Sequence, residues 1–186
     1  MNVRKTPFVI AIAAVSGGGK TTVTKLLNQK CENSKALYYD DYDINGPDDI
    51  VNWIDGGGDP NEWDLTPFIK DLDILLNETL DYIILDFPFS YKHDQVRKFI
   101  DYSIFIDTPL DIAMARRVIR DYGGSSAGNI IMDMNQYISR GRRAYLSMLT
   151  NIKPDADLVV DGTLEASKVA EGIIEHVKKL SLQFIR

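Results

Sequence analysis

An apolar run from Phe8 to Val15 (FVIAIAAV) passes without a break into Ser16-Gly17-Gly18-Gly19-Lys20-Thr21-Thr22, and helical spacing then continues to Leu27. The order is that of a strand, a phosphate loop and a helix. Successive glycines let the backbone N–H groups turn inward around an anion. A helix opening at about Gly19 adds the positive end of its dipole. Such a nest suits a nucleoside triphosphate. Lys20 would reach the β and γ phosphates, and the Thr21 hydroxyl would hold the magnesium ion that screens them. Position 14 is Ala where the general pattern has Gly. Alanine serves there if the backbone needs no positive φ, so Val15 to Thr22 carries the assignment. The alternative is a glycine-rich turn with an ordinary surface lysine.

The rest of the chain must fit around that unit. With 186 residues, 45% hydrophobic and 26% charged, a single domain with one core is expected over 1–186. The net charge of -6 opposes non-specific binding to a polyanion, so no nucleic-acid partner is expected. Cys31 is the lone cysteine, which excludes an internal disulfide. The start of the chain lacks a signal-peptide pattern, and Phe8 to Val15 is too short to span a bilayer. The expected setting is cytoplasmic, without a membrane partner, as a monomer or a homodimer.

Strand and helix patterns alternate along the chain. Ala36 to Tyr39 reads as a second strand ending in Asp40-Asp41-Tyr42-Asp43. Pro47 to Ile54 reads as a helix opened by a proline and closed by Gly56-Gly57-Gly58, a loop or C-cap rather than a second phosphate site. Phe68, Ile69, Leu72, Leu75 and Leu76 give helical spacing over Leu65 to Asn77. Tyr82 to Leu85 is a buried strand stopping at Asp86, and a polar helical segment follows. Ser103 to Ile106 repeats the strand pattern and ends at Asp107-Thr108-Pro109. A helix from Leu110 carries Arg116, Arg117 and Arg120 into the small, polar segment Gly123 to Gly128. A long helical pattern from about Ile130 to Leu149 precedes a fifth strand, Leu158 to Val160, and Glu165 to Leu180 closes the chain.

Five short apolar strands separated by helices imply a parallel sheet with helices on both faces. Ligands of such sheets sit beyond the strands' C-terminal ends, where Ser16 to Thr21, Asp40, Asp41, Asp86 and Asp161 all fall. Asp40 could accept the proton of an incoming hydroxyl or hold magnesium through water, unless the acidic cluster is a solvated loop. Asp86 has the place of a metal-side acid, or of a helix cap or turn residue. Arg116, Arg117 and Arg120 suit a lid that closes over phosphates; a solvated helix face is the alternative. Of Arg140, Arg142 and Arg143, Arg142 is ranked as an anion contact. His93 and His176 lack a metal-ligand pattern and read as surface or packing residues.

With AVSGGGKTT at Ala14 to Thr22, YYDDYD at Tyr38 to Asp43, RRVIRD at Arg116 to Asp121 and Gln136-Tyr137 before ADLVVDG, the chain resembles the uridine kinase-like branch of P-loop kinases. That branch includes nicotinamide riboside kinases and, more distantly, phosphoribulokinase. The resemblance implies the P-loop NTPase three-layer α/β sandwich, with sheet order 2-3-1-4-5 and a helical lid over about 116–142. It implies Asp40 as general base, Asp64 as a ligand of ribose hydroxyls, Arg117 and Arg120 as lid residues, and Gln136 on the substrate side. Asp86 replaces a glutamate common at the end of the third strand. The turn Asp161 to Glu165 falls where the family packs adenine. Two departures bear on the acceptor. No room exists between Asp64 and Tyr82 for the base-reading hairpin of uridine kinases, and Gly123 to Gly128 stands where the family has Arg-Gly-Arg.

The expected activity is transfer of the γ-phosphoryl of Mg-ATP to a hydroxyl of a nucleoside-like or other small metabolite. ATP would be held by Ser16, Gly17, Gly18, Gly19, Lys20, Thr21, Thr22 and Arg116. Lys20, Arg117, Arg120 and Asp40 would act in catalysis. Thr21, Asp86 and Asp40 would serve the metal, and Asp41, Asp64, Gln136 and Arg142 the acceptor. Two rivals remain: a P-loop ATPase or nucleotide-dependent regulator with no small-molecule acceptor, and a non-catalytic nucleotide binder.

Overall fold

The computed structural model of the chain describes residues 6–184; the outermost residues of the expected domain, 1–5 and 185–186, lie outside the described residues. Five parallel strands form one sheet: β1 (Phe8–Ala13), β2 (Ser34–Tyr38), β3 (Tyr82–Asp86), β4 (Tyr102–Asp107) and β5 (Leu158–Asp161). Their order is β2-β3-β1-β4-β5, as expected. The central strand β1 pairs with β3 from Phe8↔Tyr82 to Ile12↔Asp86, and with β4 from Ile10↔Tyr102 to Ala13↔Phe105. Every strand pair is parallel, so all five C-terminal ends meet along one rim.

The strand side chains alternate between two cores. Ile10 and Ile12 of β1, with Ile84, Ile104 and Ile106, face α1 (Lys20–Lys30) and α8 (Ala166–Phe184) through Val23, Leu27, Val169 and Ile173. Val9, Ala11, Ile83 and Leu85 face the opposite layer, built on α3 (Thr66–Leu76) and α4 (Asp94–Arg97). In that layer Phe68, Leu72 and Leu75 of α3 are buried at the expected helical spacing. Phe68 is stacked on Phe87, ring centroids 5.5 Å apart. Among the described residues no helix is long and apolar enough to cross a membrane.

Several element boundaries differ from their sequence patterns. The helix expected from Pro47 begins later, as α2 (Ile50–Asp55), because Asp49 caps it by accepting from the Val51 and Asn52 N–H groups. Gly56 is its C-cap, as expected, and the Gly58 N–H returns to the Trp53 carbonyl. The helical segment after Asp86 shrinks to the 3₁₀ turn Ser90–Lys92 and the short α4. His93 there is buried and hydrogen-bonds the Trp63 carbonyl at 3.1 Å, a packing role. After α5 (Leu110–Tyr122), the Gly/Ser segment supplies Ser126 as the cap of α6 (Ala127–Gln136), which therefore starts earlier than Ile130.

The long pattern to Leu149 is one helical path broken twice. Wider π turns at Tyr137–Gly141 and Met148–Ile152 flank α7 (Arg142–Ser147). Such insertions rotate the side chains that follow them and recur at functional sites. Phe68 is fully buried, so Phe68→Ala should cost about 3–5 kcal/mol of stability. Urea titration followed by circular dichroism measures this, and an unchanged midpoint would contradict the packing described.

Candidate active site

The loop between β1 and α1 is shaped by close approaches. Gly17 has φ +78, and a Cβ there would lie 2.0 Å from the Ala113 carbonyl oxygen of α5 and 3.1 Å from the Arg117 nitrogen. Gly19, at φ +98, precedes the first turn of α1 and faces open space. These are conformations that L side chains rarely adopt. Ala14 is buried and is not among the residues with positive φ, which meets the condition for alanine at that position. The buried Thr108 hydroxyl, just past β4, donates to the Gly18 carbonyl at 2.9 Å and fixes the loop from a neighbouring strand.

Charge converges on the same rim. Asp86 ends β3 between Ile12 of β1 and Tyr38 of β2, with a side chain only 1% exposed. Its carboxylate makes an ion pair with Lys20, whose side chain is 13% exposed, and neither of its oxygens has another hydrogen-bond partner. Burial draws the Lys20 ammonium down to about 8; the nearby Asp40 carboxylate opposes that shift and Arg120 adds to it. The contact with Asp86 favours the charged form. Asp40 lies on the 3₁₀ turn Tyr39–Asp41 that follows β2; the Arg120 guanidinium is raised chiefly by its hydrogen bond to Asp121, and the Asp40 charge adds to that. Asp41, next in sequence, acts instead on Tyr38 and Tyr42. The adjacent acids therefore face different surroundings.

The three arginines of α5 also separate. Arg116 donates to the Gly162 carbonyl at 3.0 Å and lines a 190 Å³ cleft with Gly18, Gly19, Thr22, Leu164 and Val169. This cleft adjoins the turn after β5, where Asp161 accepts from the Thr163 N–H and hydroxyl. Arg117 is ion-paired with Asp133 of α6. Arg120 binds Asp121 at 2.6 Å and reaches the Ser16 hydroxyl at 3.4 Å.

Two further hollows are each lined by residues of α2 and α7. A 440 Å³ cleft is lined by Asp48, Asp49, Arg117, Asp133, Gln136, Tyr137 and Arg140 among others. A 500 Å³ pocket is walled by Tyr39, Trp53, Trp63, Phe89, Met148 and Ile152. The first π turn contributes to the cleft and the second to the pocket. Gln136 therefore stands in the cleft wall. Asp64, exposed and two residues before α3 begins, accepts from the Thr66 N–H at 3.0 Å and the Thr66 hydroxyl at 2.6 Å through one carboxylate oxygen. Arg142 is exposed and lines neither hollow, whereas Arg140 and Arg143 bind Asp49 and Asp55 on α2. The Asn151 to Asp155 segment is structural: Ile152 is core, Lys153 binds Asp107 and Asp155 binds Lys92.

Tyr145 and Asp133 had no signal in the sequence. Tyr145 is on α7, where burial raises its hydroxyl while a hydrogen bond to Ser16 and the charges of Arg117 and Arg120 draw it down. Asp133 lies sixteen residues from its arginine across a helix turn. Asp107-Thr108-Pro109 was visible as a strand end, but its hydrogen bond to the loop was not.

The Lys20–Asp86 contact has a measurable consequence. Lys20→Met should destabilise the chain by about 3–5 kcal/mol, since it leaves a buried carboxylate without a counter-ion. The deficit should shrink at lower pH: the stranded carboxylate has a raised folded-state pKa, so the folded form binds the proton and gains stability as pH falls. Denaturant midpoints of Lys20→Met, alone and combined with Asp86→Asn, measure both effects. An ordinary surface lysine would show neither.

Known proteins place this architecture. A model of the "Phosphoribulokinase / Uridine kinase family" matches residues 59–169. A uridine kinase of Borrelia hermsii is 27% identical over 178 residues, covering 82% of this chain and 85% of that protein. A uridine kinase of Schizosaccharomyces pombe is 24% identical over 224 residues; the match takes in 97% of this chain but only 46% of that longer protein. The solved structure of a sugar kinase from a Janibacter species aligns with a TM-score of 0.59 at 18% identity, over 92% of this chain and 95% of its own, which speaks for the fold alone. As the family match extends over more than half of its length, the chain belongs to the phosphoribulokinase / uridine kinase family.

Proposed function

We propose that the chain is an ATP-dependent small-molecule kinase that moves the γ-phosphoryl of Mg-ATP to a hydroxyl of a nucleoside-like or other small metabolite. The observation that carries this reading is the position of Asp40. Asp40 lies on the 3₁₀ turn just past β2, at the strand-end rim that also carries the loop lysine, and its charge favours the protonated form of Lys20. A nucleotide switch or simple ATPase needs no carboxylate there for an alcohol. Membership of a family named for kinases supports a phosphotransferase acting on a hydroxyl group.

In this reading the loop amides of Ser16 to Thr22 and the Lys20 ammonium cradle the phosphates. The cleft beside Arg116, Thr22 and Gly162 takes the base of the nucleotide. Asp40 orients the acceptor hydroxyl and takes its proton, Arg120 faces the transferring group, and lid closure keeps water out. Gln136 and the cleft around it meet the polar part of the acceptor, and the aromatic pocket its apolar body. The net charge of -6 favours such a small molecule over nucleic acid.

The residues present fit magnesium. Thr21 stands in the first turn of α1, and the Asp86 carboxylate, buried at the same rim and paired with Lys20, has no hydrogen-bond partner besides it among the described residues. Among the described residues no group of three or more His, Cys, Asp or Glu side chains could hold a metal. Thr21 and Asp86 would hold the ion, with phosphate oxygens and water supplying the remaining ligands. When bound, the ion neutralises charge on the β and γ phosphates.

ATP consumption with and without a panel of nucleosides, ribosides and other small alcohols tests the reading. Stimulation by one compound is expected, whereas stimulation by a protein alone would favour a regulator. Asp40→Asn should keep ATP binding and lose about 10²- to 10⁴-fold in phosphoryl transfer. Unchanged turnover would remove Asp40 from the mechanism.

A further inference from the structure

Arg117 and Arg120 extend from one helix beside the phosphate loop, but they are held differently. Arg120 is exposed, with donors on Asp121 and Ser16. Arg117 is largely withdrawn from water, its side chain 18% exposed, and it is committed to Asp133, 14% exposed, on α6. Its buried Nε has no acceptor. Such a pair adds little stability, because desolvating two charges offsets most of their attraction, and one donor stays unsatisfied. What the pair does decide is where the guanidinium points. The Arg117 backbone borders Gly17, and Tyr145, bonded to Ser16, feels both arginines. Arg117 is thus rooted beside the loop while its charge is engaged by Asp133.

Both members of the pair line the 440 Å³ cleft that also presents Gln136 and Tyr137. We propose that Asp133 is a positioning residue that holds Arg117 off the phosphates until an acceptor occupies that cleft. The inference rests on the kinase reading above. A hydroxyl-bearing molecule in the cleft donates hydrogen bonds to Asp133 in competition with Arg117. The released guanidinium turns to the γ-phosphate, the strongest negative charge in the site, where an arginine contributes about 10³- to 10⁵-fold in rate. With the cleft empty, attack by water proceeds without that help, and ATP is spared. The device couples donor consumption to acceptor occupancy through one ion pair.

Asp133→Asn keeps the side-chain size and removes the charge. With Mg-ATP alone as the probe, its hydrolysis should rise at least ~10-fold over the wild-type chain. ATP affinity by calorimetry should be unchanged or tighter, which also shows that the variant is folded. Adding Arg117→Ala to Asp133→Asn should abolish the rise, because the effect runs through Arg117. Asp133→Glu should restore low hydrolysis. If the Asn variant fails to bind ATP, Asp133→Ser is measured in its place with the same outcomes. A rate at or below wild type with ATP still bound overturns the inference, and so does a rise that survives loss of Arg117. If the wild-type chain itself binds no Mg-ATP, the kinase reading fails instead.

Discussion

The buried ion pair between Lys20 and Asp86 is the constraint on which the rim depends. Asp86 lies in register between two neighbouring strands, so water cannot reach its carboxylate. A charge in that position needs a cation, and the loop leaving the adjacent strand delivers one. The loop is thereby tied to its own strand by the backbone and to β3 by charge. Thr108 adds a tie from β4 through the Gly18 carbonyl. Each of the three central strands therefore contributes a contact to one short loop. The geometry of an anion cradle follows from the order of the sheet.

The face around α2 and α7 is organised by side chains that cross long stretches of sequence. Arg140 and Arg143 reach back to Asp49 and Asp55, joining the helical path through α7 to α2 and its cap. Each is a solvent-exposed pair of the kind that contributes about 0–1 kcal/mol, so they orient more than they stabilise. The π turns on either side of α7 aim Tyr137 and Arg140 at one hollow and Met148 and Ile152 at the other. Between them, Tyr145 of α7 reaches Ser16 in the loop between β1 and α1.

The parts legible in the sequence were those set by local rules. A buried parallel strand is a continuous apolar run, and where that run ends in Asp86 or Asp107 the end of the strand can be read directly. The glycines at 17 and 19 were legible because the required φ values exclude most other residues. Boundaries set by competition were less so: Asp49 outranks Pro47 as a helix start because its carboxylate satisfies two free N–H groups. The π turns were invisible, since inserting one residue barely disturbs a helical hydrophobic pattern. The two hydrogen bonds by which Thr66 orients the Asp64 carboxylate were equally invisible.

The sequence by itself determined the sheet, the phosphate loop and the rim on which the strand ends meet, because strand periodicity and glycine conformations act over a few residues. Only the tertiary structure decided which charges meet: Lys20 with Asp86, Arg117 with Asp133, and Asp40 rather than Asp41 toward the loop lysine. The physical reason is that a local pattern depends on neighbours along the chain, whereas the partner of a buried charge is whichever opposite charge packing brings within reach.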